Sequence, residues 1–151
     1  MEKRKVTIPQ LKEMKQAGKK VKMVTAYDYP TGVLVDKTEI ELILVGDSLG
    51  VVVLGYDGTV PVTMDDMIHH IRPVVKGAPN TFIVGDMPFM SYNISKEDAI
   101  YNAGRIMKEG GADCVKLEGG TVMAPTVKAI VDAGIPAMAH IGLTPQTASA
   151  L

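Results

Sequence analysis

The segment 41–50, ELILVGDSLG, decides the fold. Leu42 to Val45 form an unbroken apolar run that stops at Gly46, Asp47 and Ser48. A short continuous apolar run reads as a strand buried on both faces, as in a parallel sheet. A carboxylate closing such a strand either caps the next element or faces a pocket at the strand's C-terminal end.

The same unit recurs along the chain. Upstream, Thr7 caps a helix carrying Ile8, Leu11 and Met14 and stopped by Gly18. A strand over 21–26 then ends at Tyr27-Asp28, and a short helix over 30–38 leads into 41–46. Downstream, a Gly-rich excursion follows GDSLG, with no helix expected at once. Thr63 caps a helix bearing Met67, Ile68, Ile71, Val74 and Val75. Thr81 to Gly85 reads as a strand ending in Asp86, and Ser95 with Asp98 as a capping box for a helix over 96–109, stopped by Gly110-Gly111. Cys114 to Leu117 is a strand ending in Glu118; Pro125 starts a helix that runs to Asp132; Ala137 to His140 is a fifth strand. Strands alternating with helices predict an α/β fold with a parallel sheet and right-handed crossovers.

Composition narrows the function classes. The chain has 151 residues, 46% hydrophobic and 22% charged, with a net charge of −1. Residues 1–151 are read as one domain. A near-neutral balance gives no electrostatic case for nucleic acid or an anionic membrane. Lys3-Arg4-Lys5 and Lys19-Lys20 are read as a solvated face. No apolar run is long enough to span a bilayer, and no apolar segment follows the basic start MEKRKVTIPQ. The single cysteine, Cys114, cannot form an internal disulfide and is read as a packed core thiol in a cytoplasmic protein.

The polar residues share a location. Asp47, Asp86, Glu118 and His140 each close a different strand, and Tyr27-Asp28 closes the first. In parallel α/β folds, above all the (β/α)₈ barrel, that rim carries the active site. Carboxylates without a cysteine or histidine cluster suit a hard cation, Mg²⁺ before Zn²⁺. Lys116 and Glu118 lie two apart on one strand and so share a face. Spacing alone leaves them either lining a site for a metal-chelated anion or forming a salt bridge at the strand margin. Asp66 and His70 are read as a surface i,i+4 pair. GDSLG has neither the glycine spacing of a dinucleotide loop nor the G-x-S-x-G of a hydrolase elbow.

TAYDYP (25–30), LVGDSLGVVVLGYDGTVPVTMDDMIHH (44–70), GDMPFMSY (85–92), CVKLEGG (114–120) and HIGLTPQ (140–146) resemble, in order, the motifs of the ketopantoate hydroxymethyltransferase family. The resemblance implies a (β/α)₈ TIM barrel. It also implies transfer of a hydroxymethyl group from 5,10-methylenetetrahydrofolate to 3-methyl-2-oxobutanoate, with Mg²⁺ in the site, during pantothenate synthesis. Asp47 and Asp86 match the family's metal-binding aspartates, and Glu118 a third acid acting partly through water. Ser48, Lys116 and His140 match residues that hold the 2-oxo acid, Asp86 also borders it, and Tyr27 matches a tyrosine beside the site. Lys116 would stabilise the enolate together with the metal. The general base, by resemblance a glutamate on a later strand, is expected beyond Leu151.

A barrel of this kind takes roughly 250 residues, and only five strands are read here. The chain is therefore expected to be an incomplete barrel lacking the C-terminal strands, and to be a homo-oligomer. Two alternatives stand beside the enzyme. One is a non-catalytic fragment that binds metal or self-associates. The other is a Mg²⁺-dependent 2-oxo-acid barrel of the phosphoenolpyruvate-mutase or isocitrate-lyase kind, against which the run GDSLG…KLEGG…HIGLTPQ speaks.

Overall fold

A computed structural model describes residues 3–150. Five parallel strands lie in strict chain order: β1 (Met23–Thr25), β2 (Leu42–Val45), β3 (Phe82–Asp86), β4 (Cys114–Glu118) and β5 (Ala137–His140). The order never reverses. Right-handed crossovers in one direction put every connecting helix on the same side of the sheet. The other face can then be covered only if the sheet curls on itself, which is the barrel solution and not the doubly wound one. The five strands are an incomplete barrel of this kind.

The helix layer follows from the sequence signals. The first helix, α1 (Ile8–Gln16), has the full capping box of Thr7 with Gln10. On the outer side, α2 (Tyr29–Asp36) packs on α4 (Met64–Gly77). Glycines permit their close approach: a Cβ on Gly77 would stand 2.5 Å from the Tyr29 carbonyl oxygen, and one on Gly32 3.1 Å from that of Val74. The helix α5 (Lys96–Arg105) runs into a π-helical turn, Ile106–Gly110, and Gly111 stops it at φ +83°. The last crossover helix is α6 (Ala124–Asp132). Among the described residues no helix is long and apolar enough to cross a membrane.

Alternation along the strands splits the core in two. Ile43, Val45, Ile83, Val115 and Leu117 face the helices and meet Met67, Ile71, Val74, Ile106 and Ile130. Leu42, Phe82, Val84 and Cys114 face the concave side, with Leu44 and Met138 beside them. Val6 and Leu11, from the segment around α1, pack against that second cluster. The concave side is thus apolar near the N-terminal strand ends. It turns polar only at the C-terminal rim, where Asp86, Lys116, Glu118 and His140 continue the inward-facing positions.

Several expectations need correction. A one-turn helix, α3 (Leu49–Val52), does follow GDS at once, because Leu49 N–H and Gly50 N–H turn back onto the carbonyls of Gly46 and Asp47. The first strand is shorter than 21–26, and all three of its residues are exposed, since nothing pairs with its outer edge among the described residues. Lys3 and Lys5 are not a solvated face: Lys3 Nζ donates to Thr81 Oγ1 at 2.6 Å, and Lys5 pairs with Asp113 at 2.8 Å. Asp66 and His70 do not pair with each other. Asp66 completes the α4 capping box with Thr63, and His70 Nδ1 lies 2.7 Å from the Tyr27 carbonyl oxygen. At α5 only half of the box forms; the Asp98 carboxylate accepts from the Ser95 hydroxyl rather than from its backbone.

Candidate active site

Register brings the rim residues together. Asp86 on β3 is the direct partner of Lys116 on β4, and Glu118 on β4 the partner of His140 on β5. Side chains at such positions share a face and come within contact distance. Lys116 Nζ accordingly lies 2.7 and 2.9 Å from the two Asp86 oxygens and 3.6 Å from Glu118 Oε1. Of the two readings left open for Lys116 and Glu118, the salt bridge is present, at 3.6 Å. They are ion-paired, but inside the concave rim, where Lys116 bonds more closely to Asp86.

Asp47, one residue past Gly46 at the end of β2, is buried beside this pair; its backbone N–H donates to Asp86 Oδ2 at 3.2 Å. Gly46 makes the room. A Cβ there would stand 2.9 Å from Ser48 Oγ and 3.7 Å from Asp86 Oδ2, so the serine hydroxyl and the Asp86 carboxylate flank one small space. Ser48 Oγ and Tyr27 Oη share a hydrogen bond of 2.7 Å across the β1 and β2 ends. His140 Nδ1 lies 3.3 Å from Glu118 Oε1 but is out of line for a hydrogen bond, so this buried nitrogen has no partner among the described residues.

Electrostatics sharpen the picture. Burial pushes the Asp86 carboxyl up to about 7, with Lys116 opposing and the Asp47 charge adding to the rise. Burial likewise raises Asp47, against hydrogen bonding from Gln146 and the charge of Lys116. The Thr59 hydroxyl is buried and has no hydrogen-bond partner among the described residues. Cys114 is a core thiol pushed up to about 12 by burial, which makes it inert as a nucleophile.

Two residues escaped the sequence reading. Tyr92 and Gln146 are almost fully buried at the rim. Gln146 Nε2 donates to Asp47 Oδ2 at 2.8 Å and to the Met87 carbonyl at 2.9 Å, and its Oε1 accepts from Tyr92 Oη. Each is the last residue of a quoted motif, GDMPFMSY or HIGLTPQ, and a neutral side chain at a motif's end carries no charge signal to single it out.

The chemistry of this donor set suits a divalent cation. Asp47, Asp86 and Glu118 are all buried, and a single ammonium, Lys116, offsets them, so ionisation leaves an excess of negative charge that burial penalises. Among the described residues no three His, Cys, Asp or Glu side chains already converge on one point. That leaves Asp47 and Asp86 as the adjacent pair. A cleft of about 1100 Å³ lies elsewhere, between Lys3, Arg4 and the 36–41 segment; none of the rim acids line it.

A singly wound parallel sheet with buried acids and a lysine on its C-terminal rim defines the (β/α)-barrel class of fold. Solved barrels agree in fold: phosphonopyruvate hydrolase superposes with a TM-score of 0.68 at 11% identity, over 85% of this chain and 50% of that one. The 2,3-dimethylmalate lyase of the phosphoenolpyruvate mutase/isocitrate lyase superfamily gives 0.64 at 13% identity, over 87% and 51%. Sequence is more specific. The family model described as ketopantoate hydroxymethyltransferase matches residues 5–151, and the chain belongs to that family. Similar curated relatives are the 3-methyl-2-oxobutanoate hydroxymethyltransferases of Heliobacterium modesticaldum, 70% identical over 98% of this chain, and Moorella thermoacetica, 62% identical over 95%. The chain spans about half the length of these relatives, 54% of each.

Proposed function

We propose that this chain carries the metal- and substrate-holding half of a 3-methyl-2-oxobutanoate hydroxymethyltransferase site. The reaction moves a hydroxymethyl group from 5,10-methylenetetrahydrofolate to 3-methyl-2-oxobutanoate, giving ketopantoate. The observation that carries the reading is the convergence of Asp47, Asp86, Lys116 and Glu118 at one buried rim, in a chain 70% identical to an enzyme of that name.

In this reading Asp47 and Asp86 would hold Mg²⁺, a cation commonly bound by one or two carboxylates together with substrate oxygens. Glu118, held by Gln146 and Lys116, would be the third acid that helps to hold it. The cation, when bound, supplies Lewis-acid polarisation of the keto oxygen. The chain's own residues do the rest. Ser48 offers a hydrogen bond to a small acid over Gly46, with Tyr27 fixing the Ser48 hydroxyl, and the His140 ring borders the site beside Glu118. Lys116, already at 2.7 Å from Asp86, places a fixed positive charge where negative charge builds as the 2-oxo acid loses its proton. None of residues 1–151 is given the role of proton acceptor. A cytoplasmic location and self-association complete the reading.

Calorimetric titration of 3-methyl-2-oxobutanoate into the chain with saturating Mg²⁺ tests it. Binding should depend on the metal and drop at least tenfold in Lys116→Ala. Metal-independent binding, or none, overturns the reading.

A further inference from the structure

We propose that Gln146 and Tyr92 form a directional hydrogen-bond chain that positions Asp47 and Glu118, and that divalent-cation affinity depends on it. The inference rests on the metal reading above.

The chain has only one consistent polarity. Glu118 N–H donates to Tyr92 Oη at 3.1 Å, so the tyrosine oxygen is already an acceptor there and its own proton points to Gln146 Oε1. That fixes the amide: Oε1 faces the tyrosine and the NH₂ faces two acceptors, Asp47 Oδ2 at 2.8 Å and Met87 O at 2.9 Å. Reversing the amide would set its carbonyl against a carboxylate and another carbonyl. The Gln146 backbone N–H donates in turn to Glu118 Oε2 at 3.3 Å. One residue thus grips two acids, Asp47 beyond β2 with its side chain and Glu118 on β4 with its backbone. It also reaches the end of β3 through Met87.

Burial makes the arrangement costly to leave incomplete. Gln146 and Tyr92 are each 2% exposed, and an unpaired polar group at such a site is penalised. A fully satisfied polar network specifies a single geometry. Here the network spans 99 residues of sequence between Asp47 and Gln146, so it ties the segment after β5 to the site. Outer partners that orient a ligating carboxylate typically change metal affinity 10–100-fold when removed. Gln146 and Tyr92 touch the acids and each other, so both are positioning residues.

Mn²⁺ serves as the probe, its binding to the chain followed by electron paramagnetic resonance. Tyr92→Phe removes one hydroxyl and Gln146→Met removes the amide at similar volume. Both should weaken Mn²⁺ binding by about tenfold or more. Because they act through one chain, the double variant should bind no more weakly than Gln146→Met alone. Thermal melts run in parallel register any structural loss, which alone would lower the midpoint without that non-additivity. Asp47→Asn separates the two claims. If Asp47→Asn abolishes binding but Tyr92→Phe and Gln146→Met bind as the unaltered chain, the positioning role is wrong and the metal reading stands. If Asp47→Asn binds normally, the metal reading fails and this inference with it.

Discussion

Lys116 and Asp86 are register partners on adjacent strands, and their side chains meet at 2.7 Å with both almost fully withdrawn from water. Parallel pairing puts the two side chains on the same inward face. The pair is therefore a consequence of register, and it sits among two further acids, Asp47 and Glu118.

Lys116→Met should test how much that single cation matters. Breaking a buried ion pair from one side costs about 3–5 kcal/mol, because the remaining charge has no partner. Here three carboxylates would remain. Denaturant unfolding of the metal-free chain should show a loss of about 3 kcal/mol at pH 8 and a much smaller one at pH 5, where protonation relieves the acids. An equal loss at both would assign the damage to packing.

Acidity should stabilise the metal-free chain itself. The Asp86 carboxyl rises from 3.8 to about 7 on folding, so protonation favours the folded state. That contribution is full below 3.8 and disappears as pH rises through about 7. Melting midpoints should fall between pH 5 and 8, and Asp86→Asn should flatten the fall. Under the proposed metal role of Asp86, Mn²⁺ affinity should run the other way, rising over the same interval, because an ionised carboxylate is the better ligand. A midpoint that climbs toward pH 8 contradicts the burial argument.

How far the sequence led depends on the kind of signal. Apolar runs closed by Asp47, Asp86 and Glu118 announced a parallel sheet with an acidic rim, because period and punctuation are local properties of the chain. Caps at Thr7 and Thr63 were legible for the same reason. The Asp86–Lys116 bond was not, since register between strands belongs to the fold and not to either strand. Nor was the role of Gln146, whose partner Asp47 lies 99 residues away. His70 misled because helical spacing to Asp66 is visible in sequence, whereas its contact with the Tyr27 carbonyl requires α4 to be docked.

Gly46→Ala should separate site geometry from stability. The added Cβ would stand 2.9 Å from Ser48 Oγ, and relief requires the hydroxyl to swing away from Tyr27. Overpacking of this size costs about 1–3 kcal/mol, so the chain should still fold. Affinity for 3-methyl-2-oxobutanoate should drop about tenfold, equivalent to about 1.4 kcal/mol, with Mn²⁺ binding less affected. Unchanged calorimetric affinity for the acid would remove Ser48 from the substrate pocket.

The outer strands set the last expectation. Among the described residues β1 and β5 each pair on one side only. Their unpaired backbone donors and acceptors form a template for another strand. Apolar groups lie along both ends of the sheet: Met23 is 46% and Val24 36% exposed at β1, and Ile141 and Leu143 are 75% and 71% exposed just after β5. Buried strands β2 to β4 show what such sequences do when covered; the edges have the same apolar character and no such cover among the described residues. The 151-residue chain should therefore associate as its concentration rises, and sedimentation velocity should resolve the larger species. Val24→Lys puts a charge beside the β1 edge, a substitution that discourages edge pairing, and should shift the distribution toward monomer while leaving the rim acids untouched. A chain that sediments as a monomer at every concentration, with or without the lysine, would show that these edges do not drive association.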